Sequence, residues 1–132
     1  MKNDLDHAKV LLEKSGNDLK SAEIGLAYES PMDTVAFHVQ QAAEKLIKAL
    51  LASQATLYPK THDLKTLLDL VPAEFQAVHS FRDRIQGWTS YAVDMRYEIG
   101  GYPERQEVAE AIKIIHEFRA AVLQVFPSQP PS

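Results

Sequence analysis

Apolar and small residues return at every third or fourth position in four separate stretches of this chain, and nowhere do they alternate singly over the length of a strand. That spacing is the repeat of one helix face, so the chain is limited to helices that must cover their apolar sides with one another. Leu5, Ala8, Leu12, Ser15, Leu19, Ala22 and Leu26 form the first stripe, and Gly16 weakens that helix without having to break it. The run Ser30, Pro31, Met32, Asp33 then marks a boundary: Ser30 can cap, Pro31 suits a first helical position and Asp33 has capping-box spacing. A second helix is expected from Pro31 to Ser53. "YPKTHDL" punctuates the chain again, with Thr61 offering an N-cap and Asp63 placed in the first turn of a short helix that runs to Leu70 and stops at Pro72. Val78, Phe81, Ile85, Trp88, Ala92 and Met95 predict a long helix from Ala73 to Tyr97, ended by Gly100 and Gly101. Pro103 and Glu104 open the last helix, striped by Val108, Ala111, Ile115, Phe118, Val122 and Val125.

These stripes predict an all-α fold, an up-and-down four-helix bundle with an additional short helix, over residues 1–126, followed by a disordered tail at 127–132. Leu12, Val39, Leu46, Ile85, Trp88 and Ile115 are the expected core. With 45% hydrophobic residues in 132, one such core can be buried without staples. The chain has no cysteine, which excludes thiolate nucleophiles and sulfur-ligated zinc. A net charge of -4 supplies no general positive field for nucleic acid. His7, His38, His62, His79 and His116 are scattered over different helices without a metal-binding spacing, so neither metal nor cofactor is expected. His79 and His116 read as helix-surface residues. No apolar run reaches membrane-spanning length and the amino terminus has no signal-peptide pattern, so a cytoplasmic protein without membrane contact is expected.

The second helix has one unusual side. Val35, Val39, Ala42, Ala43, Leu46 and Leu50 gather on its apolar face, while Thr34, His38, Gln41, Glu44, Lys45 and Lys48 gather opposite. Two readings are open. A solvated surface with a Glu44–Lys48 pair at i,i+4 would have this composition. So would a binding site, because an imidazole, an amide and fixed cations stacked over two turns are the groups that grip a phosphate or a base edge. Phe37 lies at the edge of the same side and, with Tyr102, suits an apolar contact with a second subunit.

"FHVQQAAEKLIKALL", followed by "THDL" and a later "RY", resembles the HEPN domain family, named for nucleotide binding in higher eukaryotes and prokaryotes. The resemblance rests on His38, Gln41, Ala42, Ala43, Glu44 and Lys45, on Thr61 to Leu64, and on Arg96 with Tyr97. It implies a helical bundle, commonly a homodimer, often encoded beside a nucleotidyltransferase as half of a toxin–antitoxin pair. Many HEPN relatives are metal-independent ribonucleases that use an arginine followed within about six residues by a histidine, the one stabilising phosphate charge and the other moving a proton. Here Arg82 and Arg84 meet no histidine before His116, Arg96 leads into "YEIGGY", Arg105 stands well before His116, and Arg119 has no histidine after it.

With that motif missing, no catalytic residue is assigned, and the resemblance implies a non-catalytic module that contacts a nucleotide or a nucleotidyltransferase partner. His38, Gln41, Glu44, Lys45, Lys48, His62, Arg96 and Tyr97 are the expected ligand-binding residues, and RNA is a less favoured partner. Two other functions stay open: a ribonuclease toxin whose acid and base have moved to His38 or His62, and a structural homodimer without ligand.

Overall fold

The computed structural model describes residues 4–92 and 103–127. Helix α1 spans Asp4–Ala27 and α2 spans Met32–Ser53. Three short helices follow, α3 at Leu64–Asp69, α4 at Gln76–His79 and α5 at Arg82–Ile85, then a 3-10 segment at Gln86–Ala92 and a long α6 at Arg105–Val125. No strand occurs among the described residues, and none of their helices is long and apolar enough to cross a membrane. The fold is an all-α helical bundle.

Helix α2 is its axis. It packs against α1, α3, the 3-10 segment and α6, and the expected stripe of Val35, Val39, Ala42, Ala43, Leu46 and Leu50 is fully covered. Ala36, Ile47, Ala49 and Leu51 are covered as well, so burial extends well beyond one stripe. Small side chains let the neighbouring backbones approach. A Cβ built on Gly25 of α1 would stand 2.8 Å from Val35 Cγ2, closer than packed carbons tolerate. Of the expected core, Val39, Leu46, Ile85, Trp88 and Ile115 are buried, and Leu12 is half-buried against them.

Both long helices of this hairpin end in Schellman turns. The Ser30 amide donates to the Gly25 carbonyl at 2.8 Å and the Glu29 amide to Leu26, with Glu29 at φ 56°. Ala55, at φ 53°, closes α2 the same way, with Thr56 donating to Leu51 at 2.9 Å. The first turn corrects the boundary expected from sequence. Ser30 is used to finish α1, so it does not cap α2; Pro31 stands at the N-cap, without a side-chain bond, and its carbonyl accepts from Thr34 and Val35. At α3 the roles of two residues also change. Asp63 is the cap, accepting from the Lys65 amide at 3.3 Å and the Thr66 hydroxyl at 2.7 Å, while Thr61 Oγ1 accepts from the Asp63 amide.

The long helix expected from Ala73 is interrupted over its described part. Val78, Phe81, Ile85 and Trp88 are buried as the stripe requires, but α4, α5 and the 3-10 segment carry them in succession. Hydroxyls compete with the helical ladder here: Ser80 Oγ donates to the Ala77 carbonyl at 2.7 Å and Ser90 Oγ to Gly87 at 3.2 Å. Thr89 Oγ1 accepts from the Leu64 amide at 3.0 Å, tying the 3-10 segment to the start of α3. His79 is no plain surface residue, since its Nε2 sits 3.0 Å from the Val71 carbonyl and locks the turn before α4. His116 does lie on the surface, 3.4 Å from Glu23.

Candidate functional site

Two carboxylates organise the polar side of α2. Asp18, one helix away on α1, lies 3.0 Å from His38 Nδ1 through Oδ1 and 2.5 Å from Lys45 Nζ through Oδ2. An ionised carboxylate only accepts, so it fixes the tautomer of His38 with the proton on Nδ1 and holds the ring plane. Glu44 is the second anchor, and at 4% exposure it is part of the interior, not of the solvent-facing side where its helical position had put it. Its Oε1 accepts from His62 Nδ1 at 2.8 Å, Gln40 Nε2 at 3.1 Å and Gln41 Nε2 at 3.4 Å, and its Oε2 from Lys48 Nζ at 2.9 Å. Burial works against this charge, yet the bonds from Lys48, His62 and Gln40 outweigh it and hold the carboxyl below the ordinary glutamate value.

The site residues thus fall on two lines of the helix. His38, Gln41, Lys45 and Lys48 form an outer, half-buried line; Gln40 and Glu44 form an inner line continued by Ile47 and Leu51. His62 joins from the loop before α3, its position set by Asp63 capping that helix and by its own carbonyl, which accepts from Gln40 Nε2 at 2.9 Å. Tyr58 comes from the same loop, its ring 5.6 Å from the Lys48 ammonium and its hydroxyl 3.2 Å from His7 Nε2. Burial first, and the Glu44 charge second, push that hydroxyl above the ordinary phenol value.

Of the residues expected from sequence, His38 and Lys45 are gathered on Asp18, and Gln41, Lys48 and His62 are gathered on Glu44, two adjoining sets along the same side of α2. Arg96, Tyr97 and the proposed contact residue Tyr102 lie outside the described residues. Phe37 is partly exposed and meets His38 edge-on, ring centres 5.9 Å apart. Asp18, Gln40 and Tyr58 are additions that sequence reading missed. Gln40 carried a signal: it shares a helix line with Ile47 and Leu51, whose apolar character announces a covered flank. Asp18 and Tyr58 carried none, because their role depends on how α1 and the loop register on α2.

Chemically, the cluster pairs each cation-forming group with an acceptor. The charges of Lys45 and Lys48 are matched by those of Asp18 and Glu44, so any excess positive charge must come from the imidazoles. Each ammonium gives one donor hydrogen to its carboxylate and has others to offer.

What these features define is an all-α bundle wound around one central helix that carries a carboxylate-anchored polar cluster. The HEPN domain profile matches residues 8–125, and the chain belongs to the HEPN domain family. Among solved structures, it is similar to the protein TT1696 from Thermus thermophilus, with 22% identity and a TM-score of 0.76, over 89% of this chain and 96% of that one. It is also similar to ST0689, an archaeal HEPN homologue, with 21% identity and a TM-score of 0.68, over 96% of this chain and all of that one. At such identities the likeness is one of fold. No curated protein sequence matches the chain.

Proposed function

We propose that this HEPN domain is a non-catalytic binding module, cytoplasmic and homodimeric, whose α2 cluster receives the phosphate of a nucleotide, in the setting of a toxin–antitoxin pair with a nucleotidyltransferase. One observation carries the reading. His38 and Lys45 on Asp18, with Lys48 and His62 on Glu44, are donor groups fixed in place before any ligand arrives. Pre-positioned donors spend little side-chain entropy on binding, and those left over can be shared with phosphate oxygens. Because the carboxylates offset the lysines, the grip is by directed hydrogen bonds more than by long-range attraction. Arg96 and Tyr97 are proposed to complete the site.

Titration calorimetry with a panel of mononucleotides tests this. Lys45→Ala and Arg96→Ala should each weaken binding by about tenfold or more, the value of a charge-assisted hydrogen bond, and added salt should weaken it further. Unchanged affinity in the double variant would remove the assignment. If instead a neighbouring nucleotidyltransferase co-purifies and the same variants release it, the face is a protein contact.

The ribonuclease reading keeps one supporting observation: both His38 and His62 are held through Nδ1 by carboxylates, the arrangement that readies an imidazole for proton transfer. Metal-free RNA cleavage that disappears in His38→Ala would establish it in place of the binding module.

A further inference from the structure

Beside the cluster, between the C-terminal half of α1 and the first turns of α2, lies a half-open groove of about 240 Å³. Ile24, Gly25 and Val35 line it together with the hydroxyl-bearing residues Ser21, Ser30 and Thr34, and its surface is mainly apolar. His38 lines it too. At its floor Gly25 lets α1 approach Val35 so closely that a Cβ there would stand 2.8 Å from Val35 Cγ2, and the Schellman turn at Glu29 brings Ser30 to the same place.

We infer that this groove is a subsite for the hydroxylated ring of a phosphorylated pentose, free or as part of a nucleotide, with the phosphate arm lying against His38 and Lys45. The volume suits one sugar-sized ring and is below the about 300 Å³ at which pockets for whole drug-sized ligands begin. Three hydroxyl-bearing residues, each able to donate and to accept, on a mainly apolar groove suit a pentose, which has a hydroxyl edge and a carbon face. His38 joins the two parts. Its ring lines the groove, while its Nδ1 shares Asp18 with Lys45, so a ring seated in the groove has a cationic partner for an attached phosphate nearby. The phosphate arm rests on the reading of the cluster given above; the ring subsite does not.

The probes are inorganic phosphate, ribose 5-phosphate and adenosine 5′-monophosphate, followed by calorimetry and by amide chemical-shift mapping on the full chain. Ribose 5-phosphate should bind about tenfold more tightly than inorganic phosphate, the value of one or two added hydrogen bonds, and should shift the amides of Ser21, Ile24 and Thr34. Ser21→Leu and Thr34→Leu change exposed residues and fill the groove; each should abolish that preference while leaving phosphate affinity as it was. Further tightening with the nucleotide identifies a nucleotide as the source, and equal affinity identifies a free sugar phosphate. Failure of the cluster reading looks different: phosphate affinity insensitive to Lys45→Ala, with groove amides still shifted by the sugar phosphate. The subsite is overturned if ribose 5-phosphate binds no better than phosphate, if neither filled variant alters the preference, or if no probe moves the groove amides at millimolar concentration.

Discussion

Replacing Glu44 by Gln keeps the shape of the side chain and removes its charge, which makes it a direct probe of what anchors the cluster. Four donors point at this carboxylate, and they lose unequally. His62 has a side chain 58% exposed and can rehydrate, so its share is small. Gln40 retains the His62 carbonyl as an acceptor. Lys48 is different, with a side chain only 15% exposed and a bond of 2.9 Å to the group being neutralised. A largely covered ammonium left with a neutral acceptor costs about 1–3 kcal/mol, reduced because the variant no longer has to desolvate a carboxylate. At a urea m-value of roughly 1.5 kcal/mol/M, the unfolding midpoint should fall by about 1 M. The pH dependence carries the sign. The folded-state pKa of Glu44 is lowered from 4.5, so its stabilisation is complete above 4.5 and is lost as pH falls below 4.5 through the depressed value. The gap between wild type and Glu44→Gln should therefore be constant near neutrality and shrink in acid. A midpoint shift worth under about 0.5 kcal/mol, or a gap that stays constant through the acid range, would refute the anchoring role.

Leu46→Ala, at a fully buried position of the central helix, should cost about 2–5 kcal/mol in the same urea assay; a loss below about 0.5 kcal/mol would mean the site is not packed as described. Gly25→Ala sets a gain in helix propensity against a Cβ 2.8 Å from Val35 Cγ2, and since Val35 is itself buried the clash should win by about 1 kcal/mol, so a stabilised variant would contradict the close approach. Glu29→Gly places the residue that tolerates positive φ in the first Schellman turn and should raise stability by about 0.5–1 kcal/mol, read as a higher thermal midpoint.

What the sequence disclosed, and what it withheld, follows from what a periodic pattern can encode. Spacing and stop signals located α1 and α2 closely: a stripe from Leu5 to Leu26 against Asp4–Ala27, and Pro31 to Ser53 against Met32–Ser53. Spacing does not report continuity. The residues from Val78 to Trp88 keep three-and-four steps across α4, α5 and a 3-10 segment, because a local tightening by hydroxyls and the pull of Thr89 on Leu64 preserve the covered side while breaking the ladder. The site divided along the same line. A helical projection placed His38, Gln41, Lys45 and Lys48 on one side correctly, since that depends on α2 alone. It could not supply Asp18, whose contact depends on the register of α1 against α2, and that register is set by the close approach at Gly25 and the turn at Glu29. Without Asp18 and the burial of Glu44, the three cation-forming side chains on that side, His38, Lys45 and Lys48, read equally well as ordinary solvated surface. With them, the same side chains form a charge-matched cluster, and binding there should depend more on the fit of a ligand's oxygens to fixed donors than on its total charge.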